Sequence, residues 1–119
     1  MRSILFKAKK LSDGKWVKGS LVKTPFGTFI EWYEDSICNK REVDTDTVCQ
    51  STGLKDCEGN EIWKHDLLQS QETKAIYEVV WNQGNTSFSL VNTECPVLYP
   101  NTLGSMLRNR RLKVVGNKF

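Results

Sequence analysis

The side chains best suited to chemistry lie in one short stretch, where His65 and Asp66 are adjacent and follow several acidic residues. A carboxylate can orient a histidine as a general base, and a carboxylate pair such as Glu58 and Glu61 can divide acid and base roles. However, consecutive residues of a strand point to opposite faces, so a strand would separate the imidazole from its neighbour's carboxylate. A simpler explanation is that the acidic residues keep turns and sheet edges soluble. We therefore predict no catalytic residues and no enzymatic activity.

The cysteines have the wrong spacing for a compact metal site. Cys38, Cys49, Cys57 and Cys95 are separated by 11, 8 and 38 positions, and His65 is the one histidine of the chain. A tetrahedral zinc site would therefore need ligands from distant loops. The sequence also lacks the two glycine-rich motifs that bind phosphate groups, G-x-x-x-x-G-K-S/T and G-x-G-x-x-G. We expect reduced, partly buried thiols and no metal or cofactor.

Basic residues gather in two groups that can contact nucleic acid. The residues of these two groups that we select as candidates are Lys7, Lys9, Lys10, Arg108, Arg110, Arg111 and Lys113. Clustered basic side chains bind phosphates, and aromatic rings such as Trp16 and Trp32 stack on bases when they are exposed. The alternative is that the lysines line a solvated strand face, that the arginines pair with acidic residues and that the tryptophans belong to the core.

The net charge of +3 conceals a strong segregation along the chain. Residues 1–23 carry seven basic groups and one acid, residues 24–62 carry three and nine, and residues 63–119 carry seven and four. If the segments stay apart, they give a polar surface field, and if they pair as strands, they neutralise one another. The sequence is compatible with both arrangements.

Length and composition are those of one folded domain. The chain has 119 residues, of which 39% are hydrophobic and 26% charged. A folded chain of this size buries roughly two thirds of the surface that its unfolded form exposes. No apolar run approaches the ~20 residues that cross a bilayer, and the lysine-rich start does not have the long apolar stretch of a secretory signal. We expect a cytoplasmic protein that does not contact the membrane.

Short apolar runs with a period near two, separated by turn residues, predict a mainly β fold. The predicted strands are residues 3–10, 16–23, 28–33, 36–43, 75–82, 87–91 and 112–115, the last ending at Gly116-Asn117. One short helix is predicted near residues 101–109. Asn101 or Thr102 can cap this helix, and Leu103, Met106 and Leu107 share one of its sides.

Residues 46–68 form the most densely patterned segment of the chain. An extended run near Val48 is interrupted at Gly53, where glycine can adopt conformations closed to other residues. A tight turn follows from Asp56 to Gly59, because Asp accepts hydrogen bonds from nearby backbone amides. Apolar anchors then flank the polar Lys64-His65-Asp66. This pattern predicts a hairpin followed by a sharp corner.

The same segment resembles the signature of the YopX family, small proteins of phages and prophages. The matching residues are Thr47, Val48, Gln50, Thr52, Gly53, Leu54, Asp56, Gly59, Ile62 and Asp66. Residues 15–21 resemble the early hairpin of the family, and residues 114–117 resemble its C-terminal Val-Ile-Gly-Asn. The chain departs from the family pattern at Cys49 and His65, which are usually glycine, and at Trp63 and Lys64, which are usually tyrosine and glutamate.

The resemblance implies a fold that includes an SH3-like barrel. We therefore expect a single YopX-like domain, residues 1–119, with an N-terminal β-hairpin portion at about 1–45. A small antiparallel β-barrel then occupies the C-terminal half, at about 46–119. Small barrels of this type bind peptides, nucleic acids or other subunits.

The family has no established biochemical function, so the expected function rests on the fold and on the residues above. We expect a small non-enzymatic binding or adaptor module that contacts a host or phage protein. The alternative is a nucleic-acid-binding module that uses the Arg108–Lys113 cluster and the N-terminal lysines. Strand edges and four tryptophans also favour a homo-oligomer.

Overall fold

A computed structural model of the protein describes residues 4–96, 98–99 and 101–119, and its secondary structure is mainly β. The strands are β1 (Phe6–Lys9), β2 (Trp16–Thr24), β3 (Gly27–Glu34), β4 (Ile37–Val43), β5 (Cys49–Lys55), β6 (Glu61–Trp63), β7 (Asp66–Ser70), β8 (Ile76–Asn82), β9 (Ser87–Asn92) and β10 (Leu112–Asn117). A 3-10 helix spans Thr45–Thr47, and helix α1 spans Leu103–Asn109.

The chain divides into two compact units, the first ending at Ser51 and the second formed by Thr52–Phe119. In the first unit, the strands follow the order β4-β3-β2-β1, and the start of β5 pairs with β1. In the second unit, the rest of β5 lies beside β6, and a separate sheet has the order β10-β7-β8-β9. Six strand pairings are antiparallel, namely β1–β2, β2–β3, β3–β4, β7–β8, β8–β9 and β10–β7.

The core of the first unit comes from alternate residues of its strands. Ala8, Ile30 and Val43 are buried at its centre. Partly buried apolar residues pack around them, namely Phe6, Val17, Leu21, Trp32 and Val48. Because strand residues of one parity share a face, this is the arrangement that the period of two predicts.

Strand β2 changes partner at Gly19. Its first residues pair with β1 as far as Gly19, and its later residues pair with β3 from the Ser20–Glu31 pair onward. A Cβ atom on Gly19 would lie 2.3 Å from the backbone oxygen of Glu31. Only glycine allows this close approach, so the absence of a side chain lets β2 turn away from β3. The end of the β3–β4 hairpin is consequently left with two strands.

The second unit is built around helix α1 and the four-stranded sheet. Its buried apolar residues are Ile62, Leu68, Tyr77, Val79, Leu90, Leu103, Met106 and Leu112. Thr102 caps the helix by accepting a hydrogen bond from the Ser105 amide at 3.2 Å. Leu107 is partly buried and packs against the same core. The structure therefore confirms the predicted helix, its cap and its apolar side.

The mainly β fold is confirmed, and the described strands form open sheets with no closed barrel. The predicted SH3-like barrel is therefore not confirmed. The last strand was predicted over residues 112–115 with Gly116-Asn117 as its stop, and β10 includes these two residues as well, because a bulge between Val114 and Gly116 lets it continue beside β7 to Asn117. The predicted first strand begins at Ser3, which lies outside the described residues, and β1 begins at Phe6.

The close approach at Gly19 predicts that Gly19→Ala destabilises the protein. The new methyl group would overlap the Glu31 carbonyl, so we expect a loss of at least about 2 kcal/mol in the free energy of unfolding, measured with urea. The control is Gly104→Ala in helix α1, where the nearest heavy atom to a new Cβ is Leu54 Cδ1 at 4.0 Å. Alanine favours the helix there, and we expect a gain of about 0.5–1 kcal/mol. Equal effects of the two substitutions would contradict the role of Gly19.

Candidate functional site

Asp66 holds the corner at which the chain passes from β6 to β7. Its carboxylate is buried, and Oδ2 accepts a hydrogen bond from the Trp63 amide at 2.8 Å. Oδ1 accepts a second hydrogen bond from Asn117 Nδ2 at 2.9 Å. Both carboxylate oxygens are therefore used to join the corner to the end of β10. This geometry confirms the predicted sharp corner.

His65 occupies the tightest position of the same corner, with a φ of 75°. Its amide donates to the Val79 carbonyl at 2.8 Å, and its carbonyl accepts from the Lys118 amide at 2.9 Å. Left-handed backbone is costly for residues with a Cβ atom and costs glycine little. This conformation gives a physical reason for glycine at this position in the YopX signature.

The imidazole of His65 points toward Glu78 and away from the carboxylate of its neighbour Asp66. Its Nδ1 lies 3.0 Å from Glu78 Oε2, and the two side chains are 21% and 22% exposed. The ring also meets Phe119 edge to face, with 5.2 Å between the ring centroids. The carboxylate beside the His65 imidazole is therefore that of Glu78. What remains is an imidazole oriented by Glu78 and Phe119.

Asp56 organises the turn between β5 and β6. Oδ1 accepts from the Glu58 amide at 2.9 Å and the Asn60 amide at 2.8 Å, while Oδ2 accepts from the Val114 amide at 2.9 Å. Burial acts to raise the pKa of Asp56, but hydrogen bonds from Val114, Asn60 and Glu58 outweigh it and hold the pKa below its ordinary value. The charged carboxylate is thus a structural element.

Other signature residues also shape the backbone. Thr52 Oγ1 donates to the Ile62 carbonyl at 2.7 Å, and Thr47 Oγ1 donates to the Asp44 carbonyl at 2.7 Å. Gly53 and Gly59 have φ of 75° and 84°, as the turn prediction requires. Ile62 is buried, Gln50 pairs with Phe6 of β1, and Leu54 is 37% exposed. The signature therefore marks turns and strand contacts.

The candidate lysines of the first unit surround an aromatic ring or pair with an acid. Lys7 Nζ and Lys9 Nζ lie 4.6 and 5.4 Å from the ring centroid of Trp16, which is half-buried. Lys10 Nζ lies 3.0 Å from Asp13 Oδ2. Trp32, by contrast, packs against the core. Trp16 is therefore the aromatic residue that the lysines accompany.

The candidate basic residues of the second unit lie between the end of helix α1 and β10. Arg108 is in the last turn of the helix, where its charge suits the helix dipole, and Arg110 is the C-cap. Both side chains are exposed, as is that of Arg111. Lys113 Nζ lies 3.5 Å from Glu58 Oε1. The exposed arginines are therefore the more accessible part of this cluster.

A feature that the sequence did not indicate is an exposed hairpin arm, which we define as residues 33–41. Every residue of the arm is exposed except Asn39, and Tyr33 and Ile37 are 71% and 65% exposed. The arm turns through Asp35 and Ser36, whose φ angles are 51° and 65°. Such a two-residue turn with positive φ at both positions matches the twist of the flanking strands.

The hydroxyl of Tyr33 stays neutral near pH 7. The neighbouring Cys38 raises the pKa of Tyr33 through its charge and a hydrogen bond, and Glu31 adds a smaller effect. Tyr33 and Cys38 face each other directly across the hairpin. The arm therefore presents an aromatic ring with a hydroxyl donor.

The described residues contain no group of three or more His, Cys, Asp or Glu side chains arranged to hold a metal ion. In the same part of the chain, no helix has the length and hydropathy of a membrane span. The cysteines are free, with Cys49 buried and Cys38, Cys57 and Cys95 exposed.

The fold and its polar turns define a class of small antiparallel β protein in which buried aspartates hold the changes of chain direction. The chain matches the family model described as YopX protein over residues 5–119. Because this match covers nearly all of its length, the protein belongs to the YopX family. A comparison with curated proteins found no match.

The φ of His65 predicts an order of stability between two substitutions. His65→Gly and His65→Ala both remove the contacts with Glu78 and Phe119, but only alanine keeps a Cβ atom in left-handed backbone. We expect the glycine variant to be about 1 kcal/mol more stable in urea unfolding, since that is the cost of this conformation for an L-residue. Equal stabilities would show that the corner relaxes to another conformation.

The lowered pKa of Asp56 predicts a loss of stability in acid. A group with a folded-state pKa below its unfolded value stabilises the fold above the unfolded pKa, and this contribution disappears as the pH falls through the folded pKa. We expect Asp56→Asn to cost about 2 kcal/mol at pH 7, because the new amide faces the Val114 donor, and to cost less in acid. Urea unfolding between pH 7 and pH ~3 measures the difference.

Glu94→Gln is the control for Asp56, because Glu94 is exposed. We expect it to leave both the stability at pH 7 and its acid dependence close to those of the natural sequence. A cost of Asp56→Asn that stays constant across the pH range would contradict the proposed role of the carboxylate charge.

Proposed function

We propose that this protein is a small non-enzymatic binding or adaptor module of phage or prophage type that contacts a host or phage protein. The observation that carries the proposal is the hairpin arm, where Tyr33 and Ile37 are 71% and 65% exposed on a hairpin with only two strands. An isolated two-stranded hairpin gains little stability of its own. Tyr33 faces Cys38 and Ile37 faces Glu34 across the hairpin, so the two apolar side chains project from opposite faces, and a partner that contacts the arm from both sides would cover both of them.

The composition of the arm favours a protein as the partner. Tyrosine is enriched in protein interfaces, and the arm places it near acidic Glu34 and Asp35 at the turn. Lys40 and Arg41 add basic groups farther along β4. A surface that mixes both signs of charge with apolar side chains suits another protein surface better than a polyanion.

We also propose that the protein acts in the cytoplasm. Three exposed free thiols, on Cys38, Cys57 and Cys95, support this location, because a reducing compartment keeps such groups unpaired. The same exposed thiols would oxidise readily in a secreted protein.

The second unit is proposed to follow an SH3-like plan. The support is its topology, in which a meander of β7, β8 and β9 is followed by helix α1 and by a last strand, β10, that returns to pair with β7. The bulge between Val114 and Gly116 bends that last strand. An experimental structure in which β10 pairs with a strand other than β7 would overturn this assignment.

Nucleic-acid binding is the second candidate function. It is favoured by the exposed Arg108, Arg110 and Arg111 at one end of helix α1 and by the two lysines over Trp16 in the first unit. Arginine pairs with phosphate in a bidentate manner, and a tryptophan can stack on a base. The two groups lie in separate units, and the test below addresses the arginines.

The arm hypothesis predicts that a tagged protein recovers a partner through Tyr33 and Ile37. In a pull-down from host lysate, Tyr33→Ser/Ile37→Ser should reduce the recovered partner about tenfold or more, as truncation of interface anchors does. The matched control is Leu54→Ser/Val115→Ser, which removes two apolar side chains that are 37% and 46% exposed elsewhere. Equal recovery by both variants would contradict the proposal.

The nucleic-acid hypothesis predicts a mobility shift of DNA at ~50 mM salt that weakens steeply as salt rises, with a slope of about −0.9 per duplex phosphate contacted. Arg108→Glu/Arg110→Glu/Arg111→Glu should abolish the shift. The control is Lys55→Glu/Lys74→Glu/Lys118→Glu, which changes the net charge by the same amount. Absence of a shift with the natural sequence at ~50 mM salt would exclude this function.

A further inference from the structure

The outer edge of β4 is open along the hairpin arm. Strand β4 is the last strand of its sheet, so Ile37–Arg41 has no neighbouring strand on its outer side among the described residues. The far end of the strand is covered, because Val43 forms a bridge with Lys10 and the Glu42 carbonyl accepts from the Leu11 amide at 3.1 Å. The open edge is therefore confined to the arm.

The geometry of the turn determines which backbone groups face outward. A two-residue turn makes Glu34 and Ile37 a hydrogen-bonded pair, and hydrogen-bonded pairs then alternate along an antiparallel hairpin. The amides and carbonyls of Cys38 and Lys40 consequently point away from β3. The Leu11–Glu42 hydrogen bond fits this alternation, as does the 2.9 Å contact from Arg41 Nη1 to the Lys40 carbonyl.

We propose that the hairpin arm pairs with the arm of a second copy of this chain, edge to edge and antiparallel about a two-fold axis centred on Asn39. In this register, Cys38 of each copy faces Lys40 of the other, and each such pair exchanges two backbone hydrogen bonds. The same surface is used by both copies, as in most two-fold dimers. No two like charges are directly opposite.

The other registers that use outward-facing residues are less favourable. Centring on Lys40 places two lysines opposite each other, and centring on Arg41 does the same with two arginines. These registers also require the edge at Glu42, where Leu11 and the Lys10–Val43 bridge already lie. Centring on Cys38 brings in Ser36, whose φ of 65° belongs to the turn. The register centred on Asn39 is the one that uses the open edge alone.

Pairing in this register also covers part of the exposed apolar surface. Arg41 of one copy lies opposite Ile37 of the other, and the aliphatic part of an arginine can cover an apolar neighbour. The two arms together make four adjacent strands, and three or more strands are the usual requirement for a stable sheet. The Lys40 carbonyl can keep its contact with Arg41, because a carbonyl oxygen accepts two hydrogen bonds.

This inference is independent of the proposed capture of another protein. A monomer that still recovers a host or phage protein would leave the proposed function intact and overturn the pairing. A dimer that recovers no partner would do the reverse.

The first experiment is sedimentation of the purified full chain over a range of concentrations. We expect a monomer–dimer equilibrium, and we expect Lys40→Pro to shift it to monomer, since proline removes an outward amide. The Lys40 amide makes no bond to β3 in this geometry, so the hairpin itself should remain, as circular dichroism would show. Lys40→Thr removes the same charge but keeps the amide, and it should still dimerise.

The second experiment tests the register and does not depend on the proline variant. In a background of Cys38→Ser, Cys57→Ser and Cys95→Ser, Asn39→Cys should give a disulfide-linked dimer on mild oxidation. The two Asn39 positions form a pair without hydrogen bonds, with Cα atoms about 4.5 Å apart, within the range of a disulfide. Arg41→Cys in the same background is the control, because its two copies would be about 13 Å apart along the strands.

Three results would overturn the proposal. One is that the natural protein stays monomeric at every concentration and that the Asn39→Cys variant forms no disulfide-linked dimer. Another is a dimer that Lys40→Pro leaves unchanged, because its interface would then lie elsewhere. The last is equal crosslinking through Asn39→Cys and Arg41→Cys, which would indicate random collision.

Discussion

The structure depends on the need of backbone amides and carbonyls for partners wherever the chain leaves a sheet. In the second unit, this need is met by two buried carboxylates. Asp56 accepts from the amides of Glu58, Asn60 and Val114, and Asp66 accepts from the Trp63 amide and the Asn117 side chain. A carboxylate can serve several donors at once, and each charge-assisted bond is stronger than a neutral one. These aspartates therefore allow sharp changes of direction in a short chain.

Along part of β4, no neighbouring strand supplies these partners among the described residues, and the edge is exposed to solvent. Gly19 lets β2 turn away from β3, because no side chain stands between it and the Glu31 carbonyl. The end of β3 is then left without β2 beside it, while the Cys38 and Lys40 backbone groups on the other side of the hairpin face outward because β4 is the last strand of its sheet. Natural proteins usually cover or charge such edges. Here Lys40 and Arg41 supply charge, while Tyr33 and Ile37 expose apolar side chains on opposite faces of the arm.

Local patterns in the sequence predicted local structure well. Alternation predicted strand β8 around Val79, the side-chain oxygen of Thr102 predicted the start of the helix, and Asp56 with Gly59 predicted a tight turn. Contacts between distant residues were beyond the same patterns. Glu78, the partner of His65, is 13 positions away, and nothing local indicates that pairing. The bulge that extends β10 past Gly116 likewise depends on the facing strand.

The hairpin arm was missed for a related reason that bears on where function should be sought. An alternating pattern around Tyr33 and Ile37 indicates strands, but it does not show whether another strand pairs with the end of β3, which depends on Gly19 in β2. The YopX signature does not include the arm. Its residues hold turns and strand contacts, so the signature identifies the fold through the constraints that the backbone imposes. The binding that we propose therefore uses a surface that those constraints leave open, namely the arm, in the part of the chain that the structure describes.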